Sequence, residues 1–337
     1  MTRPPGEEPA WTPVLRLGVE VAGTPRRLWL KLEGCDPYGS IKGRTALALW
    51  RDVADRVDPG VGLVESTSGN LGLALAALAA AHGVPFTAVV DPRASAALLY
   101  DIRALGARVV TVDAPDGAGG YLLNRLARVR DLLDARPGLV WLDQYANPAN
   151  PGAHEAGTAP ELHRQTSGER MSVLVAVSTG GTLAGFRRYA ATSGADWELI
   201  GVDAVGSAAL GGRVGPRLLS GIGSSRPSAF LPGGHRPTVH VGPAEAVRGC
   251  LWLRDTTGIG VGASAGALVA AALRLFRADA RRTSAACLCP DGADRYLDTV
   301  YSAAWRRTHG LTGHAGEPGV RILAVGEAAG AVSEEAG

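Results

Sequence analysis

The sequence predicts an α/β fold built on two open, mostly parallel sheets. Short apolar runs typical of strands alternate with longer segments that carry apolar residues at helical spacing, almost from end to end. This is the pattern of parallel strands joined by crossover helices. The chain has 337 residues, of which 46% are hydrophobic and 20% are charged, enough to bury one large core or two moderate ones. We therefore expect two lobes.

The strand and helix patterns follow each other in a regular order. Helical segments that begin at Leu71, Ala94 and Tyr121 each end at a glycine, a residue that commonly terminates helices. Predicted strands lie before, between and after these segments, at 28–33, 62–65, 86–90, 107–112, 139–143, 172–177, 198–204 and 285–289.

Segments without periodicity indicate how the domains are organised. Residues 143–157 are rich in Asn, Pro and Gly and predict a hinge near residue 150. Residues 205–236 are glycine-rich and too long for an idle connection, so we expect a loop region that faces the substrate. The predicted units are a smaller N-terminal α/β domain over 37–150, a larger α/β domain formed by 12–36 and 151–312, and a mobile tail over 313–337.

The charge distribution limits the classes of partner. A formal net charge of +2 at pH 7, spread without basic blocks, gives no electrostatic basis for binding nucleic acid or an anionic membrane surface. No apolar run approaches the roughly 18 residues of a membrane helix, and the start of the chain lacks the pattern of a signal peptide. We expect a cytoplasmic protein with small-molecule partners. Its four cysteines lack the spacing of zinc ligands and are expected to be reduced.

The lysine content singles out one residue. Lys31 and Lys42 are the only lysines among 34 basic residues. An arginine stays protonated, whereas a buried lysine amine can lose its proton and attack a carbonyl carbon. Lys42, in the stretch GSIK, is therefore a candidate for amine chemistry. Lys31 alternates within a predicted strand and is expected to be structural or solvent-facing.

The first of three glycine-rich loops follows the predicted strand at 62–65, at the edge where open α/β sheets bind ligands. Its hydroxyl groups and the N–H groups of a helix start suit a carboxylate or a phosphate, although an ordinary capped helix has a similar pattern. The loop consists of Ser66, Thr67, Ser68, Gly69 and Asn70.

The second loop follows the predicted strand at 172–177 and has the composition of a phosphate-binding cup. Paired glycines let the backbone turn its N–H groups inward, and the hydroxyl groups add donors. It is neither a Walker loop nor a dinucleotide-binding turn, because the required lysine and glycine spacings are absent. The loop consists of Ser178, Thr179, Gly180, Gly181 and Thr182.

The third loop, Gly262 to Gly266, matches the G-x-S-x-G nucleophile elbow of α/β-hydrolases, with Ser264 as the nucleophile. The remaining members of a triad would be Asp291, Asp294 or Asp298 with His309 or His314. A hydrolase leaves Lys42 and the other two loops unexplained. One cofactor accounts for all three features, since pyridoxal phosphate offers an aldehyde to the lysine, a phosphate to the cup and an amino-acid carboxylate to the hydroxyl loop.

From about residue 12 to 305, the order of these motifs resembles the fold-type II pyridoxal-phosphate enzymes of the cysteine synthase group, whose two α/β domains are of the tryptophan synthase β-like type. The resemblance implies that Lys42 forms the Schiff base, that Glu65–Asn70 bind the substrate carboxylate while Asn70 contacts the ring hydroxyl, and that Ser178–Thr182 hold the phosphate. The stretch QYANPANP is similar to the segment that brings a glutamine, here Gln144, to the substrate.

Two further motifs complete the resemblance. Gly262–Gly266 is similar to the G-x-S-S-G stretch of the group, which explains the elbow pattern without a hydrolase. The stretch PDGADRYL resembles the loop that faces the pyridine nitrogen, where a serine is usual. Asp291 aligns best with that serine, and Ser264 is a second candidate. This sequence also has Gly43 where cysteine synthases have aspartate, and Leu71 where they have threonine.

Within the group, the stretches ESTSGNLG, GVDAVGS, GIGSSR and DRYLDTVY are most similar to the branch that makes N-(2-amino-2-carboxyethyl)-L-glutamate, a precursor of 2,3-diaminopropionate in siderophore and peptide-antibiotic pathways, from O-phospho-L-serine and L-glutamate. GIGSSR places Gly221 and Arg226 near the substrate, and Arg44 is a second candidate for binding its anionic groups. The resemblance also implies a homodimer. A cysteine synthase that uses sulfide, and a serine or threonine dehydratase, remain alternatives.

Overall fold

The computed structural model describes residues 10–67, 69–117, 120–311, 316–317 and 319–327. Their strands, in chain order, are β1 (Val14–Val21), β2 (Thr24–Leu32), β3 (Leu63–Ser66), β4 (Phe86–Val90), β5 (Arg108–Thr111), β6 (Val140–Trp141), β7 (Met171–Ala176), β8 (Trp197–Ala204), β9 (Thr238–Val241), β10 (Ser284–Cys289) and β11 (Val320–Glu327).

The strands form two sheets, which confirms the predicted fold class. The smaller sheet has the order β5-β4-β3-β6, and all of its pairings are parallel. The larger sheet has the order β11-β1-β2-β10-β7-β8-β9. Its pairings are parallel from β2 to β9, while β1 pairs antiparallel with both β2 and β11.

Helices cover the faces of both sheets. They are α1 (Lys42–Val53), α2 (Asn70–Ala81), α3 (Ala96–Ala104), α4 (Leu122–Ala135), α5 (Ala149–Ala153), α6 (Ala159–Gln165), α7 (Gly181–Ser193), α8 (Pro243–Thr257), α9 (Ala263–Ala278) and α10 (Ala303–Thr308). All six residues of the central strand β10 are buried, as expected of a parallel strand that is covered on both sides. Within the described ranges, no helix combines the length and apolarity needed to span a bilayer.

Close packing of α8 against α9 explains two of the glycines. A Cβ atom on Gly249 would lie 2.1 Å from the carbonyl oxygen of Gly266, and one on Gly266 would lie 2.3 Å from the carbonyl oxygen of Ala246. The two backbones can approach this closely only because neither position has a side chain. The last glycine of the G-x-S-x-G pattern therefore serves helix packing.

The structure differs from the sequence-based expectations in two segments. The stretch 143–157, expected to be a hinge, leads into an almost continuous helical run, because a π-helical turn at His154–Thr158 joins α5 to α6. Residues 320–327, expected within a mobile tail, form β11 and pair with β1. This strand lies at the edge of the larger sheet, and its apolar residues Leu323 and Val325 are exposed. The rest of that expected tail, apart from 316, 317 and 319, lies outside the described residues.

Candidate active site

Four of the predicted site residues lie shortly after parallel strands, two in each sheet. Thr67 follows β3, Gln144 follows β6, Ser178 follows β7 and Asp291 follows β10. Ligands of open α/β sheets bind at the carboxyl ends of the strands, and these loops all begin there.

Lys42 is the first residue of α1, and its position is fixed by the loop after β10. The backbone N–H of Ile41 donates to the carbonyl oxygen of Pro290 at 2.8 Å, and Ser40 forms an isolated antiparallel bridge with Asp291. Burial lowers the pKa of the Lys42 amine, and the Asp291 carboxylate partly opposes that shift. A lowered pKa increases the fraction of uncharged amine, which is the nucleophilic and basic form.

The predicted phosphate cup lies in the same pocket as Lys42. That pocket is lined by Ile41, Lys42, Val175, Ala176, Ser178, Thr179, Gly180, Thr182, Gly221, Leu288 and Pro290. Gly180 has a φ of +90° and precedes the first turn of α7. The N–H of Gly181 donates to Thr179 Oγ1 at 3.3 Å. The cup therefore combines hydroxyl groups with the positive end of a 13-residue helix, a combination that favours an anion.

The glycines of the cup are needed because neighbouring side chains come close to the backbone. A Cβ atom on Gly180 would lie 2.1 Å from Ser228 Oγ, and one on Gly181 would lie 2.1 Å from Asn150 Oδ1. Ser228 Oγ donates to the carbonyl oxygen of Thr179 at 2.6 Å, and Asn150 Nδ2 donates to Thr179 Oγ1 at 3.3 Å. These contacts fix the shape of the cup.

Asp291, in the loop after β10, is hydrogen-bonded to two neighbouring side chains. Its Oδ2 accepts hydrogen bonds from Asn70 Nδ2 at 2.7 Å and from the Tyr296 hydroxyl at 2.8 Å. Burial raises the pKa of Asp291, and these two donors partly oppose the rise. Its Oδ1 and the Oγ of Ser264 are both buried without a hydrogen-bond partner among the described residues. A Cβ atom on Gly221 would lie 3.7 Å from Ser264 Oγ.

The unpartnered Oγ of Ser264 also bears on the hydrolase alternative. A catalytic serine needs a histidine within hydrogen-bond reach, and no described residue forms such a bond with Ser264. His309 is exposed, and its Nδ1 lies 2.8 Å from the carbonyl oxygen of Trp305, one turn earlier in the chain. The other histidine considered, His314, lies outside the described residues. The described geometry gives no support to a serine nucleophile.

Gln144 is held by a buried carboxyl group that the sequence analysis gave no separate role. Its Nε2 donates to the carbonyl oxygen of Ser66 at 2.8 Å and to Glu65 Oε1 at 3.4 Å. The Gln144 backbone N–H donates to Glu65 Oε2 at 3.2 Å. Burial raises the pKa of Glu65 to about 8. Glu65 thus ties the loop after β3 to the loop after β6.

The remaining members of the hydroxyl loop lie at the start of α2. Gly69 is the residue that precedes this helix, and Thr67 is buried with its N–H donated to the carbonyl oxygen of Val89 at 2.9 Å. The Ser66 hydroxyl is buried, and no described residue forms a hydrogen bond with it. Ser68, predicted to contact the substrate carboxylate, lies outside the described residues.

Arg44 lies elsewhere than the sequence suggested. Its guanidinium group pairs at 2.8 Å with both Glu33 and Glu161, and Lys31 also pairs with Glu161. All four side chains are buried, that of Lys31 completely. Each cation therefore neutralises a carboxylate beneath the site. We assign Arg44 a structural role in place of the expected substrate contact, and the solvent-facing alternative for Lys31 is wrong.

Gly221 and Arg226 both lie in the glycine-rich loop, at different distances from Lys42. Gly221 lines the Lys42 pocket, has a φ of +79° and leaves room beside Ser264. The Arg226 guanidinium stacks over the Tyr145 ring, 5.2 Å from its centroid. This contact leaves Arg226 partly buried, next to the residue that follows Gln144.

Sequence reasoning missed His154, which connects the lysine helix to the phosphate cup. Its Nε2 lies 3.2 Å from Thr45 Oγ1 and 3.2 Å from Thr182 Oγ1, and its Nδ1 lies 2.9 Å from Thr158 Oγ1. Burial, and the nearby charges of Lys42 and Arg44, lower its pKa well below the usual range, which favours the neutral ring. No motif indicated this residue, because it lies in the stretch expected to be a hinge.

These residues fit pyridoxal phosphate. An amine with a lowered pKa and a helix N-terminus lined with hydroxyl groups lie in one pocket, as an aldehyde and a phosphate on one small molecule require. Two buried polar atoms, Asp291 Oδ1 and Ser264 Oγ, have no partner among the described residues. A buried polar atom is normally hydrogen-bonded, and a ring nitrogen is a suitable partner.

Comparisons with known proteins agree with this geometry. The family model for the pyridoxal-phosphate dependent enzymes matches residues 7–289. An N-(2-amino-2-carboxyethyl)-L-glutamate synthase from Ralstonia nicotianae is 39% identical over 297 residues, which cover 87% of this chain and 88% of that relative. A synthase of the same name from Cupriavidus metallidurans is 36% identical over 300 residues, with the same two coverages. The crystal structure of an O-acetylserine-dependent cystathionine β-synthase from Helicobacter pylori has a TM-score of 0.79 at 28% identity and covers 87% of this chain and 96% of its own.

Proposed function

We propose that this chain, which belongs to the pyridoxal-phosphate dependent enzymes, replaces the phosphate of O-phospho-L-serine with the amine of L-glutamate. The chain is an enzyme of fold type II and its cofactor is pyridoxal 5′-phosphate. The product is N-(2-amino-2-carboxyethyl)-L-glutamate, the compound after which two relatives are named. The observation that carries the proposal is that Lys42 and the Ser178–Thr182 cup line one pocket.

In this proposal each described residue of the site has one task. Lys42 attaches the cofactor, the cup of residues 178–182 binds its phosphate, and Asn70 contacts its ring hydroxyl. Asp291 faces the ring nitrogen, with Ser264 beside it. A buried carboxylate at that position favours a protonated ring nitrogen, because the positive charge is then paired. The raised pKa of Asp291 reflects the cost of burying that carboxylate without such a partner.

The chemistry is divided between the cofactor and the chain. When bound, pyridoxal phosphate withdraws electrons from the attached amino acid, which makes its Cα proton acidic and lets the Cβ substituent leave. Lys42 is the base that removes the Cα proton and later returns it, since burial lowers the pKa of its amine toward the working range of a general base. The backbone N–H groups and hydroxyl groups around Thr67 and Gly69 bind the substrate carboxylate, and Gln144 lies beside them.

The finer substrate assignments have separate support. L-Glutamate as the nucleophile is supported by the names of the relatives. O-Phospho-L-serine is supported by the resemblance of the GIGSSR stretch, whose Arg226 is partly buried and suited to a doubly charged leaving group. The structural neighbour from Helicobacter pylori depends on O-acetylserine, so the leaving group needs its own test. The same resemblance supports a homodimer that supplies 2,3-diaminopropionate for a siderophore or a peptide antibiotic.

A competition of substrates tests the proposal. The holoenzyme is incubated with O-phospho-L-serine or O-acetyl-L-serine, together with L-glutamate or sulfide, and the products are identified by mass spectrometry. We expect the glutamate adduct and free phosphate, with O-phospho-L-serine preferred. Rapid consumption of sulfide without any glutamate adduct would instead identify a cysteine synthase.

A further inference from the structure

The pocket that contains Lys42 lies beside a second, larger cavity. Ser178 and Gly221 line both, so a molecule in the larger cavity is adjacent to the reacting centre. The larger cavity has a volume of ≈ 520 Å³, within the range of about 300–1,000 Å³ that is usual for small-molecule sites. Its place beside the lysine pocket makes it the natural site for the second reactant.

The lining of this cavity is cationic. It includes three arginines, Arg93, Arg125 and Arg217, but only one carboxylate, Asp91. Arg125 Nε lies 3.3 Å from Asp91 Oδ2, so that pair is close to neutral. Arg93 and Arg217 are the other two arginines of the lining, so arginines outnumber carboxylates there, and such a lining favours an anionic ligand.

The two arginines approach the cavity from different parts of the fold. Arg93 follows β4 of the smaller sheet, and Arg217 lies in the glycine-rich loop that follows β8 of the larger sheet. The two parts touch at this point, because a Cβ atom on Gly120 would lie 2.9 Å from an Arg217 terminal nitrogen and 2.5 Å from Ser225 Oγ. A ligand held by both arginines would therefore contact the loop after β4 of the smaller sheet and the loop after β8 of the larger sheet.

Arg217 is fixed in place before any ligand binds. One terminal nitrogen donates to the carbonyl oxygen of Gly206 at 2.7 Å, and the other donates to Ser225 Oγ at 2.9 Å. Burial lowers its pKa, and the charge of Arg93 lowers it further, while Asp116 and Asp203 act in the opposite direction. An anion between the two guanidinium groups would relieve this repulsion, at little entropic cost on the protein side.

We propose that Arg217 and Arg93 bind the side-chain carboxylate of the dicarboxylic amino acid whose amine is the nucleophile. The assignment rests on the proposed function and specifies its second-substrate subsite. Glutamate carries its side-chain carboxylate two methylene groups beyond the carbon that bears the amine, so its amine can face the Lys42 pocket while the carboxylate reaches outward. Both arginines line the larger cavity and neither lines the Lys42 pocket, where the first substrate must be attached.

Methionine variants of the two arginines test this subsite, since they remove the charge and keep most of the apolar stem. Arg93→Met and Arg217→Met are compared with Arg103→Met, a control at an exposed position on α3. The holoenzymes are assayed for KM with L-glutamate and with L-glutamine, the uncharged amide of the same shape. Calorimetry measures the binding of both ligands directly. A third measurement follows the absorbance change with O-phospho-L-serine or O-acetyl-L-serine alone.

Both test variants are expected to raise the KM and Kd of L-glutamate at least about tenfold, the usual effect of losing a charge-assisted hydrogen bond. The values for L-glutamine and the reaction with either serine ester alone should not change, and the control should match the wild type. Arg217 also holds its loop in place, so a second variant is needed. Arg217→Lys, which keeps the charge, should lose less affinity for L-glutamate than Arg217→Met.

Two results would overturn the assignment. Unchanged L-glutamate affinity in both variants would remove the arginines from the subsite. Loss of the O-phospho-L-serine reaction with retention of the O-acetyl-L-serine reaction would show that they bind the leaving phosphate instead. A wild-type enzyme that forms no glutamate adduct would refute the proposed function itself. The wild type is assayed first, so this failure is distinguished from a failure of the subsite assignment.

Discussion

The crossing of α8 and α9 allows the energetic role of one motif glycine to be worked out. In Gly266→Ala the new Cβ atom would lie 2.3 Å from the carbonyl oxygen of Ala246 and 2.9 Å from the backbone nitrogen of Cys250. Ordinary van der Waals contact needs at least 3.4 Å, so the helices must separate by about 1 Å at this point, enough to forfeit a quarter to a half of the dispersion energy of each affected contact.

The size of the effect follows from two opposing terms. Overpacking in a well-packed core costs about 1–3 kcal/mol, and the upper end applies here because the contacts are with backbone atoms of a rigid helix. Replacing a helical glycine with alanine returns about 1 kcal/mol. We expect Gly266→Ala to lower the free energy of unfolding by about 2 kcal/mol.

Urea-induced unfolding, monitored by circular dichroism on cofactor-free protein, measures this difference. Gly152→Ala is the matched control, since it lies in α5 and no described atom is within 4 Å of the position that its Cβ would occupy. The control should gain about 0.4–1 kcal/mol. Equal stabilisation of both variants would refute the packing explanation of the motif.

Three further outcomes are expected. The raised pKa of Glu65, about 8, means that the folded protein keeps a proton that the unfolded chain loses above about pH 4.5, so stability falls as pH rises from there to about 8. In Glu65→Gln this fall should be smaller when urea unfolding is measured at pH 5 and pH 8, and parallel curves would contradict the shift. Arg44→Met leaves the buried carboxylates of Glu33 and Glu161 short of a partner. In the same assay it should lower the free energy of unfolding by about 3–5 kcal/mol. A decrease below about 1 kcal/mol would indicate that these groups are exposed to solvent. Ser264→Ala removes a hydroxyl group that has no hydrogen-bond partner among the described residues, so the cofactor-free protein should be at least as stable as the wild type. Fluorescence titration should show about tenfold weaker cofactor binding. Unchanged cofactor affinity would mean that Ser264 does not contact the cofactor.

The sequence predicted the parts of the fold that depend on local periodicity. The run at 86–90 coincides with β4, and the run at 172–177 is displaced by one residue from β7. Because parallel strands of one sheet bring their carboxyl ends to one edge, the loops after β7 and β10 could be predicted to lie at the same edge of the larger sheet. That they meet the loop after β3, in the smaller sheet, was implied by the family resemblance. The antiparallel strand β1 was not among the predicted strands. Its sequence, VLRLGVEV, mixes charged and apolar residues, whereas the predicted strands are mostly apolar runs.

The parts of the site that depend on contacts distant in sequence could not be predicted. Arg44 looked available for a substrate because its partner Glu161 is far along the chain and belongs to a different helix. Gln144 and Glu65 are also far apart in sequence, and only the parallel pairing of β3 with β6 brings them together. Such pairings follow from tertiary topology, and single-sequence patterns do not specify them.

Peptide mapping after borohydride reduction tests the covalent role of Lys42 most directly. Reduction fixes the cofactor to the amine that holds it, and the chain offers two lysine side chains, Lys31 and Lys42. The partly buried amine at the start of α1 should carry the entire mass increment, and the peptide that contains the fully buried, ion-paired Lys31 should carry none. A cofactor adduct on Lys31, or a holoenzyme whose Lys42 peptide remains unmodified, would contradict the proposed mechanism.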